Sequence, residues 1–484
     1  MRDPRRRLLA VVAFVLLGVL GVTACGGSQM SPKAVQEANR KAAGLGPGDS
    51  VGPNGQLPES VANPDDPQAT TGPNDPSVPN GPADPSNPDQ PQPGGPGAEK
   101  GDPLLPSPSS CAGFKNQTGI TDSTITIGNG ADISGPVPGL FTATQQATKA
   151  YVSYFNSKSS ICGRKLKLIT ADTRTDAGAD QQASAKFCEQ AFATVGGMAT
   201  FDSGGAAAAQ ACGLPDLRAV AVTGDRNRCK VCFAAEATGD HEFSNAVPDF
   251  FVKNYKAASK KAAFLYLNVG AAAENGVTQR NVAVKRGFDV VYTKAIDVAE
   301  FNYGPYVQQL KTLGVRWVQF LGAYQQEVRF AEAMKAANYK PDVYMLDPSA
   351  YDEGFLQTGG DAIENTFVYV NFTPFAENAK EFRLYNTYLQ QVAPGAKPTF
   401  FGLFAWSAAK LFVEQSIELG GKLSRPALVN SLRGVKNWTA GDLHGPMQVG
   451  AKHAPSCIRF LQVKNNKFVP IKGTKYVCNG YSKG

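Results

Sequence analysis

Histidine, tryptophan and catalytic sequence signatures are scarce in this chain of 484 residues. It has three His and three Trp, and His241, His444 and His453 do not share the spacing of metal ligands. The chain contains no P-loop, no HExxH and no GxGxxG dinucleotide loop. We therefore expect no metal, no cofactor and no enzymatic activity; a Ser-His-Asp set assembled around His241 is the enzymatic alternative.

A long basic run is also missing. The formal net charge is +7 at pH 7, but Lys and Arg are scattered along the chain. A nucleic-acid-binding surface would combine a basic patch with interleaved aromatic residues. We interpret the positive charge as a solvated surface and expect no nucleic-acid partner.

Aromatic and β-branched residues are nearly absent from residues 47–108, where 17 of the 33 prolines fall. Such a segment cannot bury a hydrophobic core. The composition predicts that residues 25–110 form a disordered, proline-rich stalk. The alternative interpretation is a recognition tail that carries several short proline motifs.

The N-terminus combines four arginines with an apolar run at residues 8–22. This run is shorter than the roughly 20 residues that a membrane-spanning helix needs. It ends in Val22-Thr23-Ala24-Cys25 and resembles a bacterial lipoprotein signal. The resemblance implies that residues 1–24 are removed and that Cys25 carries lipid, with palmitate among its acyl chains. The mature chain would then be anchored at the extracytoplasmic face of the cell membrane. The alternatives are an ordinary signal peptide and a short signal anchor.

Eight cysteines follow Cys25, and an even set in an exported chain indicates disulfides. Eight cysteines allow 105 pairings, so the sequence alone does not settle the connectivity. Proximity along the chain favours four pairs: Cys188–Cys212, Cys229–Cys232, Cys457–Cys478 and hence Cys111–Cys162. The Cys229–Cys232 CxxC motif could instead bind zinc or act in redox chemistry. A structural bridge is favoured because the following VCFAAE is typical of a strand.

Strand and helix patterns alternate from Gly119 onward, which predicts an α/β fold with parallel sheets flanked by helices. The pattern restarts after Asp240, so we expect two lobes with a cleft at the carboxyl ends of the strands. Individual predictions include a strand at 195–200, a helix at 241–255, helices near 378–393, 399–419 and 426–435, and a strand at 446–449.

Several segments in this order are similar to one known family. The segments ITIGNGADISGPVPG, VGGMATFDSGG and FLGAYQQEVRFAEAMKAANYKP resemble type I periplasmic solute-binding proteins, above all the branched-chain amino-acid receptors of ABC importers. The resemblance spans about residues 119–469 and implies two lobes joined by three crossings near Asp240, Val370 and Leu443. It assigns residues 111–240 and 371–443 to lobe 1, and 241–370 and 444–484 to lobe 2.

The same resemblance implies a set of ligand-binding residues. In lobe 1 these are Asp202, Ser203 and Gly204 in the third-strand loop and Thr223 in the fourth-strand loop. In lobe 2 they are the aromatic Tyr324 and the acid Asp347. Two further candidates depart from or lie outside the family pattern: Asp225, which makes up a charged pair with the adjacent Arg226 in the fourth-strand loop, and Phe404 on a helix. Each also has an ordinary structural interpretation: Ser203 as a helix cap, Thr223 and Asp347 as turn residues, and Tyr324 and Phe404 as core.

The family resemblance implies a monomeric receptor that captures a small polar solute for the permease subunits of an ABC importer. An amino acid, or a related amide or carboxylate, is the expected solute. A sensor with the same fold, which signals to a membrane partner without transport, is the alternative. Dependence of solute uptake on this protein would distinguish the two.

Overall fold

The computed structural model describes residues 105–106, 109–471, 473 and 475–484. The predicted signal segment, the lipidation site Cys25 and the stalk up to residue 104 lie outside the described residues. Within the described part, none of the helices combines the length and the apolar character that crossing a membrane requires.

The first sheet contains five parallel strands in the order β2-β1-β3-β4-β5. The strands are β1 (Thr124–Ala131), β2 (Lys165–Asp172), β3 (Ala193–Val195), β4 (Asp216–Ala221) and β5 (Cys232–Ala237). The connecting helices are α1 (Thr142–Lys158), α2 (Ala177–Gln190), α3 (Ala206–Cys212) and α4 (Gly224–Arg228). Because all five strands run in one direction, their carboxyl ends meet at one edge of the sheet.

The second sheet has the order β13-β12-β11-β10-β9-β7-β8. The five strands from β7 to β11 are parallel, β12 pairs antiparallel with β11, and β13 pairs antiparallel with β12. Its strands are β7 (Ala262–Leu267), β8 (Val290–Ile296), β9 (Trp317–Leu321), β10 (Val343–Leu346), β11 (Phe367–Val370), β12 (Cys457–Lys464) and β13 (Lys467–Pro470). The short strands β6 (Glu242–Ser244), β14 (Val477–Cys478) and β15 (Tyr481–Lys483) pair beside it, β14 with β12 and β15 with β6. Its helices are α5 (Ala246–Asn254), α6 (Lys256–Ser259), α7 (Gly270–Lys285), α8 (Gly304–Thr312), α9 (Tyr324–Ala336) and α10 (Glu353–Gly359).

After β11 the chain returns to the first sheet and forms α11 (Lys380–Val392), α12 (Phe400–Leu419) and α13 (Arg425–Arg433). Helix α12 packs on strands β4 and β5 and on α1, so it is apolar on nearly every side. Trp406 lies at its centre between Tyr151 and Tyr154. The indole N–H of Trp406 donates a hydrogen bond to Glu381 at 2.7 Å, which satisfies the one polar atom of this buried ring.

The α/β class and the two-lobed architecture confirm the sequence-based expectation, while three local predictions were wrong. The predicted helix at 241–255 begins only at Ala246, because Glu242–Ser244 pairs with the C-terminal strand. The predicted strand at 195–200 ends at Val195, since Gly196 turns the backbone at a φ of +70°. At 446–449 there is no strand, only isolated bridges such as Trp438–Met447. The lobe boundaries at 240, 370 and 443 stay a prediction.

The four predicted disulfides are confirmed: Cys111–Cys162, Cys188–Cys212, Cys229–Cys232 and Cys457–Cys478. The first of them joins residues 51 positions apart. It ties the segment before β1 to the turn that precedes β2. A bridge that closes a long loop removes more entropy from the unfolded chain than a bridge that closes a short one.

Replacing both Cys111 and Cys162 by Ala should therefore lower the free energy of unfolding by about 4 kcal/mol, from the loop-closure relation. Guanidinium titration of the oxidised protein measures this change. The matched control is the double Ala variant of Cys229 and Cys232, whose loop spans a separation of 3 and should cost about half as much in chain entropy. An equal or smaller loss at Cys111 and Cys162 would contradict the loop-length argument.

Candidate ligand-binding cleft

A cavity of about 440 Å³ lies between the two sheets. In lobe 1 its wall comes from loops at the carboxyl ends of β1 to β5. In lobe 2 it comes from the ends of β7, β9, β10 and β11. Loops at the carboxyl ends of parallel strands are free of the sheet's hydrogen bonds and can present side chains to a ligand. The cavity therefore occupies the position that the sequence analysis assigned to the cleft.

Most of the cavity wall is apolar. Lobe 1 contributes Val137, Leu140, Phe141, Met198, Val220, Phe400 and Phe401, and lobe 2 contributes Leu267, Val269, Leu321, Tyr324, Tyr369 and Ile458. An apolar wall with a few polar groups is the usual composition of a small-molecule site, because burial supplies affinity and polar groups fix orientation.

Five residues of the wall have a buried polar atom without a hydrogen-bond partner among the described residues. These atoms are Thr175 Oγ1, Thr200 Oγ1, Glu236 Oε2, Ser244 Oγ and Asn371 Oδ1. Buried polar atoms are almost always paired in folded proteins. Other such atoms lie elsewhere in the described part of the chain, but these five surround one cavity, where the polar groups of a small solute would pair with them.

The acidic side chains of the wall are Glu236, Glu242, Asp347 and Asp352. Glu236, on β5, is 7% exposed. Burial raises the pKa of Glu236 to about 8; a hydrogen bond from Asn371 opposes this rise and the negative charge of Asp347 adds to it. Burial also raises the pKa of Asp347, although its carboxylate accepts from the N–H of Ser349 at 3.0 Å and from its hydroxyl at 2.5 Å. The site is thus an acidic pocket in which burial favours the protonated form of Glu236.

Two of the predicted site residues line this cavity. Tyr324 begins helix α9, and Asp347 follows strand β10 and caps the short turn at Pro348–Ala350. Both side chains belong to lobe 2, as the family resemblance implied. Their contact with a ligand stays a prediction, which this placement supports.

Asp202 and Thr223, in contrast, are not brought to the cavity wall. The carboxylate of Asp202 is fully buried and accepts from the N–H groups of Val222 and Thr223 at 2.8 and 3.2 Å. The hydroxyl of Thr223 caps helix α4 by accepting from the N–H of Arg226. Both residues connect the third-strand and fourth-strand loops, which is a structural role.

Ser203, Gly204, Asp225 and Phe404 also lie outside the wall. Ser203 and Gly204 sit in the turn before α3, and a Cβ on Gly204 would stand 2.1 Å from a backbone oxygen of α2. Asp225 is exposed and pairs with Arg228 at 2.7 Å. Phe404 is fully buried and stacks on His444. The loop after β3 packs back on its own lobe and takes Ser203 and Gly204 with it, whereas Asp225 lies on α4 and Phe404 on the buried side of α12.

A buried ion network holds that loop in place. Arg226 pairs with Asp180 at 2.9 Å and also with Asp216, and its Nε donates to the carbonyl of Asp202 at 2.6 Å. Arg218 joins Asp180 at 2.6 Å. Burial alone would raise the pKa of Asp216, but the two arginines outweigh burial and lower it. The arginines therefore favour the charged form of Asp216, and the network connects the two loops of lobe 1.

Glu236, Ser244, Asn371, Thr175 and Thr200 were missed by the sequence analysis. Glu236 had a visible signal, because it is the one charged residue in the buried strand CFAAEA. An acid in such a strand is costly unless it has a function or a partner. Asn371 directly follows the apolar strand FVYV, which is a comparable but weaker signal.

The two lobes touch at the edge of the cavity. The N–H of Ala271, in the first turn of α7, donates to the carbonyl of Thr200 in lobe 1 at 2.7 Å. The N–H of Gly224 donates to the carboxylate of Glu274 at 3.0 Å. Gly270 makes this approach possible, since a Cβ there would stand 2.2 Å from the carbonyl oxygen of Thr200. The structure thus has its lobes in contact around the cavity.

The fold and this cleft define a two-lobed binding protein of type I. A family model described as periplasmic binding protein matches residues 124–467, and the chain belongs to this family. Comparison with curated proteins gave no significant match.

Solved structures share the fold at low sequence identity. A leucine-binding protein from Thermotoga maritima is 14% identical with a TM-score of 0.61, and the match covers 72% of this chain and 98% of that one. A fatty acid ABC transporter substrate-binding protein from Thermomonospora curvata is 17% identical with a TM-score of 0.66, covering 76% and 95%. A solute-binding protein from R. palustris, in complex with 4-hydroxybenzoate, is 18% identical with a TM-score of 0.62, covering 74% and 98%.

The contact at Gly270 gives a test of lobe closure. Gly270→Ala should separate the lobes, because the added Cβ overlaps the Thr200 carbonyl and the φ of +38° disfavours any side chain. We expect amide hydrogen exchange at Ala271 to become at least tenfold faster while the circular dichroism spectrum is retained.

The matched control for this test is Gly360→Ala. Gly360 has a similar φ of +47°, but no atom lies within 4 Å of its Cβ position. Faster exchange at Ala271 in this control, or unchanged exchange in Gly270→Ala, would contradict the closure argument.

Proposed function

We propose that this chain is an extracytoplasmic solute-binding lipoprotein that captures a small solute between its lobes and delivers it to an ABC importer. The observation that carries the proposal is the set of unpaired polar atoms around one cavity between the lobes. A volume of about 440 Å³ is in the range of small-molecule sites. Membership of the periplasmic binding protein family supports the same function.

The solute class follows from the cavity wall. An apolar body would pack against side chains such as Phe141, Phe400 and Tyr369, and a polar end would meet Glu236 or Asp347. The named solutes of the structural neighbours, leucine, fatty acid and 4-hydroxybenzoate, also combine an apolar body with a polar end. Amino acids and their amides fall in this class.

The N-terminal part of the proposal concerns the anchor. Lipid on Cys25 and a stalk over residues 25–110 would keep the receptor near the permease while allowing it to reach solute outside the membrane. Mass spectrometry of the mature chain tests the lipid directly. Solute uptake by cells that lack the chain separates transport from sensing, since a sensor without a transport role leaves uptake intact when its permease is expressed independently.

Filling the cavity tests the receptor function independently of solute charge. Ala143, in the first turn of α1, belongs to the cavity wall. Ala143→Phe should abolish the thermal shift that a panel of amino acids, amides, amines, sugars and carboxylates induces in the wild type. At 100 times its Kd, a solute stabilises the wild type by about 2.7 kcal/mol.

The matched control is Ala207→Phe at an exposed position of helix α3, which should retain the full shift. A wild-type shift that survives in Ala143→Phe would show that the solute binds elsewhere. No shift with any member of the panel would overturn the receptor proposal.

A further inference from the structure

The charges of the cavity wall are of one sign. Its acidic residues are Glu236, Glu242, Asp347 and Asp352, and the described residues that line the cavity include no Lys, Arg or His. A carboxylate solute would find no positive side chain on this wall and would meet four acidic groups; the hydroxyls of Thr175, Thr200 and Ser244 are the buried side-chain donors that no described residue already hydrogen-bonds. Like charges that meet in a desolvated site disfavour binding strongly.

Several other buried acids among the described residues pair with cations. Asp180 and Asp216 pair with Arg218 and Arg226. Glu381 pairs with Lys410 at 3.5 Å. Glu327, which is fully buried next to strand β10, has no such partner among the described residues, so compensation by a cation is common in this fold but not general.

Glu242 is compensated too, although it lines the cavity. Its carboxylate accepts from Nδ1 of His453 at 3.0 Å and from the N–H of Ala454 at 3.2 Å. This leaves Glu236, Asp347 and Asp352 as the buried or half-buried acids of the wall without an ion pair in the described part of the chain. The carboxylates of Asp347 and Asp352 accept from the backbone N–H groups of Ser349 and Gly354.

Among the acids of the wall, Glu236 is the one with a buried carboxylate oxygen that no described residue hydrogen-bonds. It is 7% exposed, it accepts from Asn371, and its Oε2 has no partner among the described residues. Asp347 lies close enough for its charge to act on Glu236 and on the phenol of Tyr369. A cation placed between the two acids would compensate both.

We propose that the solute is an organic cation, whose ammonium group is held by Glu236 and Asp347 and whose apolar body packs on the aromatic wall. This inference rests on the receptor function proposed above. The rings of Tyr324, Tyr369, Phe400 and Phe401 line the same cavity, and aromatic faces attract a cation as well as an apolar body. The ammonium group replaces the basic side chain that the wall lacks.

Three probes that differ only in their end group test the inference: hexylamine, hexanol and hexanoate. By isothermal titration calorimetry at pH 7.5, hexylamine should bind the mature protein at least tenfold more tightly than hexanol, and hexanoate should bind most weakly. Glu236→Gln should weaken hexylamine binding by about tenfold or more and leave hexanol within twofold. Asp347→Asn serves as a second variant if Glu236→Gln does not fold.

The matched control is Glu332→Gln, which removes the same charge from an exposed position of helix α9 and should change none of the three affinities. Tighter binding of hexanoate or hexanol than of hexylamine would overturn the cation inference and leave the receptor function standing. Undiminished hexylamine binding in Glu236→Gln and Asp347→Asn would also overturn it. Failure of all three probes together with the whole solute panel would overturn the receptor function itself.

Discussion

The cleft of this molecule contains a buried carboxyl group without a counter-charge in the described part of the chain, and this group determines which solutes the cleft favours. Glu236 lies at the carboxyl end of the edge strand β5, where desolvation raises its pKa to about 8. Such a group is either protonated or ionised beside a bound cation, because an isolated buried charge costs several kcal/mol. The acidic cavity wall, its unpaired polar atoms and the solute class that we infer all depend on this one constraint.

The remainder of lobe 1 is built to hold its loops rigidly. Arg218 and Arg226 neutralise the buried aspartates, and Asp202 fastens the backbone at Val222. When the loops are already rigid, solute binding does not lose conformational entropy by ordering them. Lobe 2 closes on this frame through the backbone at Ala271. Recognition thus takes place between a fixed lobe and a lobe that touches it at a few hydrogen bonds.

The fold was largely predictable because alternating strand and helix patterns are typical of a parallel sheet. The disulfides were predictable because their cysteines are neighbours along the chain.

The binding residues were harder to predict. Tyr324 and Asp347 follow strand ends in lobe 2 and reach the cavity. Asp202 and Thr223 follow strand ends in lobe 1, yet a buried ion network turns that loop inward. Only the packing across three strands reveals this, and no local pattern contains it. Glu236 was not predicted because its strand, CFAAEA, has the apolar composition of a buried core strand.

The pH dependence of cation binding tests the central claim most directly. Burial raises the pKa of Glu236 to about 8, so below this pH its proton must leave when an ammonium group binds. Asp347, Tyr369 and Asn371 are the groups that act on Glu236 across the cavity, and hexylamine itself stays charged because alkylammonium groups titrate near pH 10. Its affinity should therefore rise by up to about tenfold per pH unit between pH 6 and pH 8 and then level off. An affinity that is constant over this range, or that falls as the pH rises, would contradict the account.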